Sequence, residues 1–182
     1  MFEKNRYAVV KNFIEKDRAK FLAKYLTDNS LCKDEPNVTN ATNCTAVYGD
    51  PVFELLLLDS LSKIENITKK NLFPTYSYAR TYTTNAVLDK HIDRDSCEYS
   101  LSLCLEKDDT NWPLMLQTCN THQEKAISLA SGDALIYKGI DLPHWREKFK
   151  GKKQIQVFLH YVAQDGLYAE SIFDKRGGLN LA

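Results

Sequence analysis

Apolar and polar positions alternate from Tyr7 to Phe13, the two-residue repeat of a strand. The period then lengthens, with Ala19, Leu22, Ala23 and Leu26 at helical spacing inside 14–26. Residues 28–50 hold many turn formers and no lasting period, so they read as a long loop or lid, and loops of that length are more often functional than idle. Pro51 suits the first turn of a second helix, whose apolar positions Phe53, Leu56, Leu57, Leu61 and Ile64 follow the 3.6 repeat towards an end near Lys69–Asn71. From Tyr76 the pattern changes to short β-type runs: YSYARTY, EYSLSLCLE, PLMLQ, a turn, DALIYKG and KQIQVFLHYV. Two helices followed by several strands predict an α+β, mainly β fold, an antiparallel sandwich or barrel with helices against one face. The tail FDKRGGLNLA contains a glycine pair and is expected to be ordered only where it docks.

Composition narrows this picture in a few respects. The 182 residues suit one domain over 1–182: helical support and a long loop over 1–75, a β core over 76–165 and a tail over 166–182. The 24 basic and 24 acidic residues cancel, so no global field draws the chain to nucleic acid or to an anionic membrane. The most apolar run, Leu55–Leu58, is far too short to span a bilayer. Cys32, Cys44, Cys97, Cys104 and Cys119 are an odd set without CxxC spacing, and no apolar leader opens the sequence, so reduced thiols and a cytoplasmic location are expected. Asn-x-Thr triplets begin at Asn37, Asn40, Asn43 and Asn66 and read as polar loop without secretion.

Candidate chemistry rests on the four histidines. His91 and Asp93 are two apart, so in an extended segment both side chains leave the same face and offer a bidentate platform. A third ligand is needed for a two-histidine, one-carboxylate site, and His144 in DLPHWRE is the candidate. His122 lies in a polar turn, NTHQEK, and reads as a solvated residue. His160 lies inside an apolar strand, either as a hydrogen-bonded core histidine or on a pocket face. Tyr76, Tyr78, Arg80 and Tyr82 share one parity, as a pocket wall or as packing within a half-buried sheet. Gly132 suits a turn before DALIY.

The order of motifs from Tyr76 to Tyr161 resembles the prolyl 4-hydroxylase-like branch of the iron(II)/2-oxoglutarate oxygenases. The motifs are YARTY at 78–82, HID at 91–93, YSLSLCL at 99–105, SGDALIY at 131–137, LPHWRE with His144, and QIQVFLHYV at 154–162. The resemblance implies a double-stranded β-helix (jelly roll, cupin-like) with the N-terminal helices packed against one sheet and a catalytic core at 76–165. It implies Fe(II) held by His91, Asp93 and His144, 2-oxoglutarate as cosubstrate with molecular oxygen, and hydroxylation of an unactivated C–H bond on a peptide or protein. A free amino acid or other small metabolite is the alternative substrate, and a non-catalytic cupin-type binding module the reading of another class. Related halogenases have a small residue in place of the carboxylate, so an intact HID favours hydroxylation. The family's basic residue about ten positions past the distal histidine, which pairs with the far carboxylate of 2-oxoglutarate, has its nearest match in Lys153. The alternatives are a solvated GKK turn, or a pocket face of Gln154, Gln156, Phe158 and His160 with Arg80 supplying the charge. Tyr82 and His160 complete the expected cosubstrate contacts. Trp112 and Pro113 stand where related enzymes turn into the next strand, and Trp145 and Arg146 adjoin the distal ligand at the expected substrate mouth.

Overall fold

The computed structural model describes residues 2–34, 40–119 and 121–181. A short helix α1 (Phe2–Asn5) and strand β1 (Tyr7–Val10) precede α2 (Lys16–Asp28), β2 (Ala41–Tyr48) and α3 (Pro51–Thr68). β3 (Leu72–His91), β4 (Tyr99–Lys107), β5 (Leu114–Gln117), β6 (Glu124–Ile127), β7 (Ala134–Tyr137), β8 (His144–Arg146) and β9 (Lys153–Ala163) follow. The strands pair antiparallel in the order β1-β7-β4-β9-β3-β8-β5-β6, with β2 added to β3. The sheet curls because β3 belongs to both of its parts. Residues 72–83 of β3 pair with β9, and Leu88 and His91 pair with β8. The register shifts between Pro74 and Tyr76, where proline offers no N–H to the ladder. This is the mainly β jelly-roll architecture that the pattern and the resemblance imply.

The helices cover one face of the larger sheet. Ala19, Leu22, Ala23 and Leu26 of α2 and Phe53, Leu56, Leu57 and Ile64 of α3 share a core with Leu101, Leu103, Ile155, Val157, Leu159 and Tyr161. Strand alternation therefore sends Ser100, Ser102 and Cys104 of β4, and Gln154, Gln156, Phe158 and His160 of β9, to the opposite face, the barrel interior. Asp50 caps α3 by accepting hydrogen bonds from Val52 N (3.0 Å) and Phe53 N (3.4 Å), and Pro51 occupies the first turn as expected. None of the described helices is long and apolar enough to cross a membrane.

Three expectations are corrected. The 28–50 stretch is not one long loop, because Ala41–Tyr48 form β2 against β3; Thr and Asn side chains conceal its pattern, and a register shift beside Asn43 (φ 49°) breaks its alternation. Residues 35–39, with the Asn37 triplet, lie outside the described residues. Strand β1 stops at Val10, before the left-handed Asn12 (φ 50°). β6 lies where the sequence suggested only a turn, and its mostly exposed residues EKAI carry little hydrophobic signal. The C-terminal tail docks. Arg176 Nη2 meets the fully buried Glu54 Oε1 at 2.7 Å, and Asn180 donates to Glu54 and to Gly49 O.

Candidate metal centre and adjoining cavity

His91 ends β3 and His144 begins β8, and the two are direct cross-strand partners. Asp93 follows two residues after His91, fixed by its own N–H donating to Gly139 O at 2.9 Å. Asp93 Oδ1 lies 3.7 Å from His91 Nε2 and 3.5 Å from His144 Nε2, and one ligand atom from each residue falls within 4.8 Å of the others. His91 Nδ1 sits 2.7 Å from Asp89 O, and His144 Nδ1 sits 2.9 Å from Leu142 O. Each Nδ1 proton is thereby committed to a backbone carbonyl, which leaves both Nε2 lone pairs facing Asp93. Burial holds the His144 pKa below its ordinary value, only partly opposed by Asp93, so the ring stays neutral and able to bind a cation.

The carboxylate is oriented from its other side. Ser100 Oγ donates to Asp93 Oδ2 at 2.9 Å and lies 2.9 Å from His160 Nδ1. Asp93 can only accept, so the consistent arrangement has His160 donating to Ser100 and Ser100 to Asp93, which reserves Oδ1 for the centre. Burial pushes the His160 pKa down to about 4, in keeping with a neutral ring. A Cβ on Gly139 would lie 1.9 Å from Asp93 Oδ2, so this cradle is open only to glycine. Two imidazole nitrogens and one carboxylate oxygen, with room for further ligands, suit a divalent transition metal such as Fe(II). A second cluster, Asp93, Cys97 and His160, shares the carboxylate. Burial drives the Cys97 pKa far up, and Tyr76 Oη lies 3.0 Å from its Sγ, so it offers a protonated thiol and not a thiolate ligand.

A cavity of about 510 Å³ opens beside these residues, with Tyr48, Tyr76, Tyr78, Arg80, Tyr82, Arg94, Phe158 and His160 on its wall. Arg80 is 7% exposed and donates to Tyr82 Oη and Tyr78 Oη, both at 3.2 Å. At the rim, Asp174 accepts from Arg94 (2.7 and 2.8 Å), Ser96 (2.7 Å) and Tyr48 (2.6 Å). The pocket face is thus the even-numbered face of β9.

Lys153 is placed elsewhere. It has the parity of Ile155 and Val157, its side chain is 40% exposed, and its Nζ meets Glu106 Oε1 at 2.7 Å, so the ammonium does not enter the barrel. His122 is exposed in a left-handed turn (φ 52°), and Gly132 has φ 87° with Ile14 O 2.6 Å from any added Cβ, as their sequence settings suggest. Neither Trp145 nor Arg146 lines the mouth. Trp145 Nε1 donates to Glu147 Oε1 at 2.9 Å, while Arg146 is 2% exposed inside the barrel beside the buried Trp112. Gly139, Ser100 and Tyr137, whose hydroxyl is 3.4 Å from His144 Nε2, carry no signal in one sequence, because their roles exist only once β4, β7 and the 138–143 turn meet.

No family model matches the chain, and no curated protein is similar to it in sequence. Its fold is found among solved structures. A Pseudomonas putida prolyl-4-hydroxylase superposes with a TM-score of 0.72 at 15% identity, covering 89% of this chain and 95% of that one. HygX from Streptomyces hygroscopicus, solved with nickel, 2-oxoglutarate and hygromycin B bound, gives 0.71 at 14% identity over 90% and 85% of the two chains. A Trichoplax adhaerens prolyl hydroxylase in complex with a hypoxia inducible factor peptide fragment gives 0.71 at 14% identity over 90% and 86%. The chain shares the fold of these oxygenases.

Proposed function

We propose that the chain is an iron(II)- and 2-oxoglutarate-dependent dioxygenase, a hydroxylase in which His91, Asp93 and His144 hold the metal and the β core at 76–165 carries the chemistry. The observation that carries this reading is the convergence of His91 Nε2, His144 Nε2 and Asp93 Oδ1, with every second nitrogen or oxygen of the three already hydrogen-bonded outside the centre. Bound iron with 2-oxoglutarate and oxygen supplies oxidation of a C–H bond coupled to decarboxylation of the cosubstrate. The protein orients. Ser100 and His160 hold the carboxylate, the Asp89 and Leu142 carbonyls hold the two imidazoles, and Arg80, Tyr82 and His160 on the wall are the cosubstrate and substrate contacts of this reading. Tyr48, Tyr76 and Tyr78 give the outer cavity flat apolar surfaces, with Tyr48 stacked on Tyr76 at 5.0 Å between centroids. Such surfaces suit the ring of a prolyl residue in a peptide, the substrate favoured here, and the peptide-bound Trichoplax neighbour supports it. A small-molecule substrate is the second reading. It is favoured by the cavity volume, within the range of small-molecule sites, and by the tail that borders the rim. A reducing, cytoplasmic setting, with Cys32, Cys44, Cys97, Cys104 and Cys119 as reduced thiols, belongs to this reading.

The test is succinate release from 2-oxoglutarate under Fe(II) and air, with a proline-rich peptide and free amino acids compared as substrates by the mass gain of one oxygen atom. Alanine at His91, Asp93 or His144 is expected to abolish turnover in folded protein, whereas His122→Ala is expected to be silent. Undiminished turnover in a folded ligand variant removes that residue from the centre. No succinate with any candidate would favour a non-catalytic binding module.

A further inference from the structure

The barrel interior contains a second guanidinium, deeper than that of Arg80. Arg146 leaves β8 on the same side as His144, two residues further along, and so points between the two parts of the sheet from the strand that carries a metal ligand. It is 2% exposed. Its Nη1 donates to Trp112 O at 2.6 Å, its plane lies over the Trp112 ring at 4.7 Å, and its buried Nε has no partner. Among the described residues no carboxylate pairs with it. The groups that interact with it electrostatically are Tyr82, Cys104 and Tyr137, none of them a carboxylate. Gln154, the β9 partner of Tyr82, and Gln156, the β9 partner of Cys104, carry a buried Oε1 and a buried Nε2, each without a partner. A buried cation with one carbonyl contact is unfavourable unless an anion joins it.

We propose that Arg146 is the residue that binds the far carboxylate of 2-oxoglutarate, a role that rests on the function proposed above. Tyr82 and Tyr137 are the link, since both interact with Arg146 and both line the cavity that reaches His144. A dicarboxylate with its keto-acid end at the centre points its other end inward along this wall. The planar fork of arginine matches a carboxylate through two parallel hydrogen bonds, and Nε is available for one of them. Arg80 is placed differently: its two Nη atoms are committed to Tyr78 and Tyr82 on the open wall. Lys153, paired with Glu106 outside the barrel, is replaced in this role.

The experiment is calorimetric titration of the nickel-loaded protein with 2-oxoglutarate and with 2-oxopentanoate, a keto acid of the same length without the far carboxylate. The intact protein is expected to prefer 2-oxoglutarate by roughly ten- to a hundredfold, the span of one charge-assisted pair. Arg146→Met is expected to remove that preference while leaving 2-oxopentanoate and nickel binding unchanged, and Lys153→Gln, at the residue paired with Glu106 outside the barrel, to retain it. In the absence of ligand the Met variant is expected to melt no lower than the parent, since it loses an uncompensated buried charge. If the Met variant does not fold, Arg146→Gln takes its place; unfolding of both would make the guanidinium a structural strut and overturn the proposal. A folded Arg146 variant that keeps the preference, or its loss in Lys153→Gln, also overturns it. Failure of the intact protein to bind 2-oxoglutarate despite bound nickel is a different result, and removes the proposed function itself.

Discussion

Between Gly139 and Asp93 there is no room for a methyl group. A Cβ at position 139 would fall 1.9 Å from Oδ2 and 2.7 Å from Cγ of the carboxylate, so Gly139→Ala must push Asp93 away from the histidines. Its backbone is not left-handed, so the substitution acts through the site and not through strain in the chain. Nickel affinity is expected to fall about ten- to a hundredfold, in the range for displaced supporting contacts, with an unchanged far-ultraviolet circular dichroism spectrum. Unaltered affinity would show that the carboxylate is not a ligand. The nearness of His91 and Asp93 was legible from their two-residue spacing, although Asp93 lies past the end of β3, but the approach of His144 to them was expected only from the family resemblance, since nothing local marks it. Gly139 was illegible because what sets it apart is its closeness to Asp93 across the fold. Lys153 misled because one residue of register decides whether a side chain at the start of β9 enters the barrel or leaves it.

Elements show the same division between local and non-local signals. Helices α2 and α3 were legible from periodicity because their burial is one-sided, and α3 also has its cap and proline in place. Strand β2 was hidden by polar residues on a pairing that β3 supplies. The C-terminal segment depends on a few side-chain bonds: Phe173, Asp174 and Lys175 are successive left-handed residues (φ 52°, 57° and 60°), and Asp174 ties them to Arg94, Ser96 and Tyr48. Burial alone would raise the Asp174 carboxyl, yet these donors hold it at about 2, below its ordinary 3.8. A depressed carboxyl contributes stability that is complete above its unfolded value and is lost as pH falls through the folded one. Asp174→Asn should therefore cost about 1 kcal/mol near neutral pH, after allowance for solvent screening, and the difference from the parent should vanish as pH drops from about 4 towards 2. Urea unfolding at several pH values measures it, and a difference that persists at pH 2 would place the effect in packing instead of charge.

At the scale of the whole molecule, Cys97 and Cys104 report on the integrity of the barrel. Both are buried at 3% and 0% exposure, and burial raises both pKa values, that of Cys104 to about 11, so neither thiol reacts in the closed structure. Timed alkylation followed by peptide mass mapping is expected to modify Cys32, Cys44 and Cys119 first, and Cys97 and Cys104 together, at the rate of global opening. Early labelling of Cys97 alone would reveal a local opening near Asp93 and His160. Strand β9 has a consequence for how this chain can change over generations. Its odd residues hold the helices, and its even residues face the barrel interior, with Phe158 and His160 on the cavity wall. Heritable variation at Phe158 or Gln156 can therefore reshape what is accepted inside while Ile155, Val157 and Leu159 keep the scaffold standing, so the same strand permits innovation on one side and inheritance on the other.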